Sequence, residues 1–134
     1  MGYAPDVAKS MVLTELGFAA EQRGDPEAAQ AFHLDGLAIA RELGDTRAVA
    51  VALEGLAGAQ ALAGYHECAA RLLGTAAATR DAAQSPLPLA ERGDVDRLTT
   101  AARVALGNDK FGAQFRRGAA MTPEQARAAI MPLG

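Results

Sequence analysis

The chain has no tryptophan, six aromatic residues, two lysines, two histidines and one cysteine in 134 residues. A lone Cys68 excludes an internal disulfide framework. Scarce lysine, a formal net charge of −3 and a pI near 5.3 leave no basic footprint for nucleic acid. There is no Gly-x-x-x-x-Gly-Lys-Ser/Thr phosphate loop, and neither Lys9 nor Lys110 follows a glycine-rich turn. No apolar run approaches the ~18 residues that span a bilayer, because Arg, Glu, Asp or Gly interrupts every alanine-rich stretch. The opening Met1-Gly2-Tyr3-Ala4-Pro5-Asp6 lacks the basic head and apolar run of a secretory leader. The expectation is a cytoplasmic protein with no membrane or nucleic-acid partner, no cofactor and no metal.

In place of these features the chain has alanine, 33 residues of it. Alanine is the best helix former and is depleted in strands, so the composition predicts close-packed helices. The length suits one domain, 1–134, able to bury about two thirds of its unfolded surface. Turn signals then divide the chain. Gly24-Asp25-Pro26 ends one helix and starts the next, with Asp25 as cap and proline at the first helical position. Gly44-Asp45 and Gly64-Tyr65 make the same kind of break. Ser85-Pro86-Leu87-Pro88 is a non-helical connection. Gly107-Asn108-Asp109 is a stop with Asn108 as the expected cap, and Thr122-Pro123-Glu124-Gln125 is a capping box. Helical periodicity between these marks predicts seven helices, at 6–23, 26–43, 46–63, 65–83, 88–106, 109–117 and 123–131. No segment alternates as a strand does. The expected class is all-α.

Displaced by 40 residues, the sequence matches itself: Leu16 with Leu56, Gly24 with Gly64, Glu27 with Glu67, Ala29 with Ala69, and Leu37 with Ala77. Two helix–turn–helix units follow, one at about 8–44 and one at about 46–83, with capping helices over 88–131. Small residues at Gly17, Ala29, Ala57 and Ala69 let antiparallel helices approach closely. The Leu16-Gly17, turn-glycine and second-helix alanine spacing resembles the tetratricopeptide repeat, lengthened from its usual ~34 residues. The expected fold is therefore a tandem of antiparallel helical hairpins, a tetratricopeptide-like superhelix with C-terminal capping helices.

The segments Arg71-Leu72-Leu73-Gly74, Ser85-Pro86-Leu87-Pro88, Ala105-Leu106-Gly107 and Met121-Thr122, with Phe111, Phe115 and Glu124-Gln125-Ala126, together resemble one known setting. It is the C-terminal end of large actinobacterial regulators that join an ATPase module, a tetratricopeptide array and often a LuxR-type or SARP-type DNA-binding domain. Phe115 stands where a tryptophan is expected, and Gly93 interrupts the fifth helix at a cost of about 1 kcal/mol relative to alanine. The resemblance implies a transcriptional regulator as the parent protein. With no phosphate loop and no basic recognition helix, neither nucleotide hydrolysis nor DNA binding carries over onto this stretch.

The candidate chemistry is sparse. His33, His66 and Cys68 are the soft metal-ligand types, but His66 and Cys68 lie two apart on a helix and face different sides. A structural or surface role is favoured over metal binding for all three. The carboxylate pairs Glu15/Glu21 and Asp94/Asp96 lack an accompanying apolar pocket motif. Arg116-Arg117 follow Phe111 and Phe115, whose spacing docks both rings inward while the arginines suit the helix end; an anion contact is the alternative reading. Met121, Ile130, Met131 and Leu133 either cover the end of the stack or form an apolar edge. Met11, Val12 and Leu13 predict an exposed apolar face on the first helix, and with it self-association as a homodimer or contact with preceding repeats.

These features predict a non-catalytic protein–protein interaction module. Its partner would be a protein or peptide, or upstream domains of the same polypeptide. Glu15, Phe18, Glu54, Gly58 and Ala61 are the expected concave surface, where small residues leave room for a guest. The alternative is a small-molecule-sensing domain with its cavity between the repeats and the fifth to seventh helices. The low aromatic content weighs against it.

Overall fold

A computed structural model describes residues 6–133. Among them are seven α-helices and one 3₁₀ turn, and no strand: α1 Val7–Gln22, α2 Pro26–Leu43, α3 Thr46–Leu62, α4 His66–Ala82, the 3₁₀ turn Leu89–Glu91, α5 Arg92–Leu106, α6 Asn108–Ala119 and α7 Pro123–Ala128. The protein is all-α. None of these helices is long and apolar enough to cross a membrane.

Side-chain caps start the first three helices. Asp6, Asp25 and Asp45 each accept a hydrogen bond from the backbone N–H three residues on, satisfying a donor that the helix leaves free. The stops are as regular. Left-handed backbone follows α1 to α4 at Gly24, Gly44, Gly64 and Gln84, one every twenty residues. Glycine suits that conformation, and Gln84 holds it (φ 52°) against the clash of its Cβ.

Several expected boundaries shift, each for a visible reason. Pro86 and Pro88 delay the fifth helix from 88 to Arg92, with a 3₁₀ turn between. Asn108 is not the cap of the sixth helix but its first residue, after Gly107, and no side chain caps it. The last helix ends at Ala128 rather than 131 because Met131 turns its backbone toward α3. There Gln60, fully buried, donates to the Met131 carbonyl (2.9 Å) and accepts from its N–H (3.2 Å). Gln60 also donates to the Gln30 carbonyl oxygen at 2.5 Å, so one buried pair of amides fastens the C-terminal segment across α2 and α3.

Helices adjacent in sequence pack together from α1 to α4, around Leu37, Leu53, Leu56 and Leu72, all fully buried. Beyond α4 the order changes. α6, not α5, makes the extensive contact with α4. The two helices run in the same direction, linked at positions 43 residues apart. Lys110 pairs with Glu67 (2.6 Å), Arg71 donates to Gln114 (2.9 Å), and Thr75 donates to the Gly118 carbonyl (2.6 Å). The backbones nearly touch, since a Cβ on Gly74 would strike the Phe115 carbonyl oxygen and one on Gly118 the Arg71 carbonyl oxygen. At the opposite side of the molecule, α1 leaves Val7, Met11, Val12 and Leu16 exposed on its outer face.

A backbone atom cannot swing aside as a side-chain tip can. Gly118→Ala is therefore expected to cost about 3 kcal/mol in urea unfolding, at the upper range for overpacking. Gly93→Ala meets nothing within 4 Å and, at the second residue of α5, is expected to stabilise by less than the ~1 kcal/mol of a helix interior.

Candidate functional site

With α6 against α4, helix α5 contacts α4 less extensively, and the three helices border an open groove of about 820 Å³. One wall is α4, through Leu73, Ala77, Arg80 and Asp81. The other wall comes from α5 and α6. On α5 the lining residues Arg92, Val95, Asp96, Thr99 and Arg103 recur at helical spacing, so a single stripe faces inward. From α6 come Phe111, Gly112, Phe115 and Arg116, and Pro86 and Leu87 close one end.

The wall is stiffened by a buried ion pair. Arg80, 5% exposed, donates through Nε and Nη2 to both Glu54 oxygens at 2.7 and 2.8 Å. It also reaches the Ser85 carbonyl (3.3 Å), which ties the proline connection to α4. Bidentate geometry offsets the desolvation of both charges. On the opposite wall the guanidinium of Arg103 lies 4.9 Å from the centre of the Phe111 ring, a cation–π contact. Phe111 is buried and packs on Phe115, ring centres 5.7 Å apart.

The five residues expected on a concave surface are dispersed. Glu54 lines the groove, but as the partner of Arg80. Glu15 is exposed on α1, and Ala61 is half-buried on α3. Phe18 is half-buried, edge-on to His33 at 5.0 Å. The room expected at Gly58 is already filled, because the Glu21 carboxylate occupies the place of a Cβ there. Sequence reasoning missed the α5 stripe as a wall. The 92, 95, 96, 99, 103 spacing was its only signal, and it does not say which neighbour the stripe faces.

Among the described residues no three His, Cys, Asp or Glu gather as metal ligands. Cys68 is buried with its Sγ 3.9 Å from the Ala129 carbonyl, and burial raises its pKa. His66 begins α4, with Nδ1 buried and unpartnered. His33 is the most constrained. At 1% exposure its ring is wedged between Gly17 of α1 and Gly55 of α3, and neither ring nitrogen has a hydrogen-bond partner. Burial lowers its pKa from 6.5 to about 4.

Comparison with family models, curated proteins and solved structures gives no match. What the site can do therefore rests on its own geometry.

Because the folded state holds His33 neutral, protons bind the unfolded chain more readily. Its contribution is complete above pH 6.5 and is lost as pH falls from 6.5 toward 4. The expected loss is about 3 kcal/mol. Burial raises the Glu21 pKa, and that group acts oppositely, losing stability as pH rises. Comparing wild type with His33→Phe, in urea unfolding from pH 4 to 7, cancels the Glu21 effect and isolates His33. The ion pair allows a separate check by the same method. Glu54→Leu or Arg80→Met alone is expected to cost about 3–5 kcal/mol, and the double variant far less.

Proposed function

We propose that this chain is a non-catalytic binding module of tandem, tetratricopeptide-like helical hairpins that receives a protein or peptide segment in the groove between α4 and α5–α6. The carrying observation is that groove, about 820 Å³, open to solvent and walled by three helices. Its lining mixes apolar and charged side chains, as peptide-binding grooves do. The left-handed stops every twenty residues and the 40-residue self-match support a repeat origin for α1 to α4. The sequence resemblance supports a place in the C-terminal regulatory part of a signal-responsive transcriptional regulator, LuxR or SARP type.

A second reading has an observation of its own. The groove lies between the repeats and the fifth and sixth helices, and its volume falls in the range of small-molecule pockets, ~300–1,000 Å³. A metabolite sensor would use the same walls.

One experiment separates them. Peptides selected from a random library against the intact chain are titrated by calorimetry against wild type and Ala77→Trp, which fills the groove from α4. Loss of binding by tenfold or more, with unchanged thermal unfolding, supports the peptide reading. Undiminished binding by the variant overturns the groove as the site. Saturable thermal stabilisation by a metabolite, abolished by Ala77→Trp, favours the sensor.

A further inference from the structure

We infer that the groove selects an acidic peptide segment, with one carboxylate held between Arg103 and Arg116 and an adjoining apolar side chain against Phe115. This rests on the groove being the binding site and adds the chemistry of its occupant.

Arg103 lays its guanidinium over the Phe111 ring, 4.9 Å from its centre. Arg116 folds back one turn along α6, so that its Nη1 lies 3.1 Å from where a Cβ on Gly112 would be. Both arginines line the groove, one guanidinium over Phe111 and the other beside Gly112, the next residue of α6. Neither has a carboxylate partner among the described residues, where the ion pairs use Arg41, Arg47, Arg80, Arg97 and Lys110. Two positive charges without a carboxylate partner, lining one groove beside apolar side chains, favour an anion that accepts charge-assisted hydrogen bonds from both. Arginine's planar fork suits a carboxylate in particular.

The rest of the groove sets the size of the occupant. Along α5 the lining stripe runs eleven residues from Arg92 to Arg103, about 16 Å of helix. That is the reach of about five extended residues. A small free acid at Arg103 and Arg116 would leave most of this length empty. The lining acids Asp81 and Asp96 stand away from the arginine pair. Asp96 is seven residues from Arg103 along α5, about 10 Å, and Asp81 is at the end of α4 near the proline connection. The groove is therefore uneven in charge, with a basic and aromatic end at Arg103 and Arg116 and a mixed end where Asp81 and Asp96 accompany Arg92.

The test uses the intact chain labelled with ¹⁵N and three probes. These are a capped pentapeptide with one glutamate beside two leucines, the same peptide with glutamine, and 4-phenylbutyrate. The glutamate peptide is expected to shift the amide signals of Phe111, Gly112 and Phe115 saturably and to bind at least tenfold tighter than its glutamine counterpart. Arg103→Gln or Arg116→Gln should each remove that preference, while Arg117→Gln, outside the groove, should leave it. The same spectra show whether each variant is folded.

Equal binding of the two peptides at these signals would overturn the acidic selectivity and leave the groove reading standing. No shift in the groove from any probe would overturn both. Tighter binding of 4-phenylbutyrate than of the glutamate peptide would overturn a peptide as occupant and assign the arginine pair to a small acid. An equal loss from Arg117→Gln would reduce the effect to net charge and overturn the site.

Discussion

The contact between α4 and α6 is the constraint on which the far half of the molecule depends. Gly74 and Gly118 remove the two Cβ atoms that would hold these helices apart, and the backbones close to carbonyl contact. Three polar links at four-residue steps then fix the register of the parallel pair. α6 takes the larger share of the exposed side of α4, and α5 meets α4 over a smaller area, through Ala102 and Ala70. The groove lies between these three helices. Its floor of Phe111 and Phe115 comes from α6.

Similar economy governs the first three helices. His33 fills a slot that exists because Gly17 and Gly55 both lack side chains. The ring gives up hydrogen bonding at both nitrogens and gains dense packing, including the edge contact with Phe18. Glu21 Oε1 and His66 Nδ1 are also buried without a partner, but the longer buried polar side chains are paired. Gln60 and Gln30 bind the C-terminal backbone, and Glu54 and Arg80 bind one another. These links join segments far apart in sequence, so they hold the tertiary arrangement where short alanine side chains contribute little burial energy of their own. The exposed apolar face of α1 is the exception, with Val7, Met11, Val12 and Leu16 facing outward.

Much of the helix architecture was legible because its causes are local. Asp25 before Pro26, the glycines at 24, 44 and 64, and the Thr122 to Gln125 capping box act through atoms within a few residues. The boundaries that shifted were those with a distant or competing cause. Pro88 replaced a helical turn with a 3₁₀ turn, and Gln60 drew Met131 out of the last helix. The site was much less legible. Gly58 reads as open space in sequence, yet the Glu21 carboxylate fills it, and Glu54 reads as a surface charge, yet Arg80 removes it from solvent.

By itself, then, the sequence determined that the chain is helical, where most helices begin and end, and that its first helix carries exposed apolar side chains at Met11 and Val12. Alanine content, caps and turn glycines act over one helical turn and depend on no distant residue. Tertiary structure alone decided which helix covers α4 most extensively, and with it the existence of the groove and the placing of Arg103 and Arg116 in its lining. A glycine in a helix announces that something approaches closely. It does not say what, because the approaching backbone lies some 40 residues away, and its arrival depends on every helix packed in between.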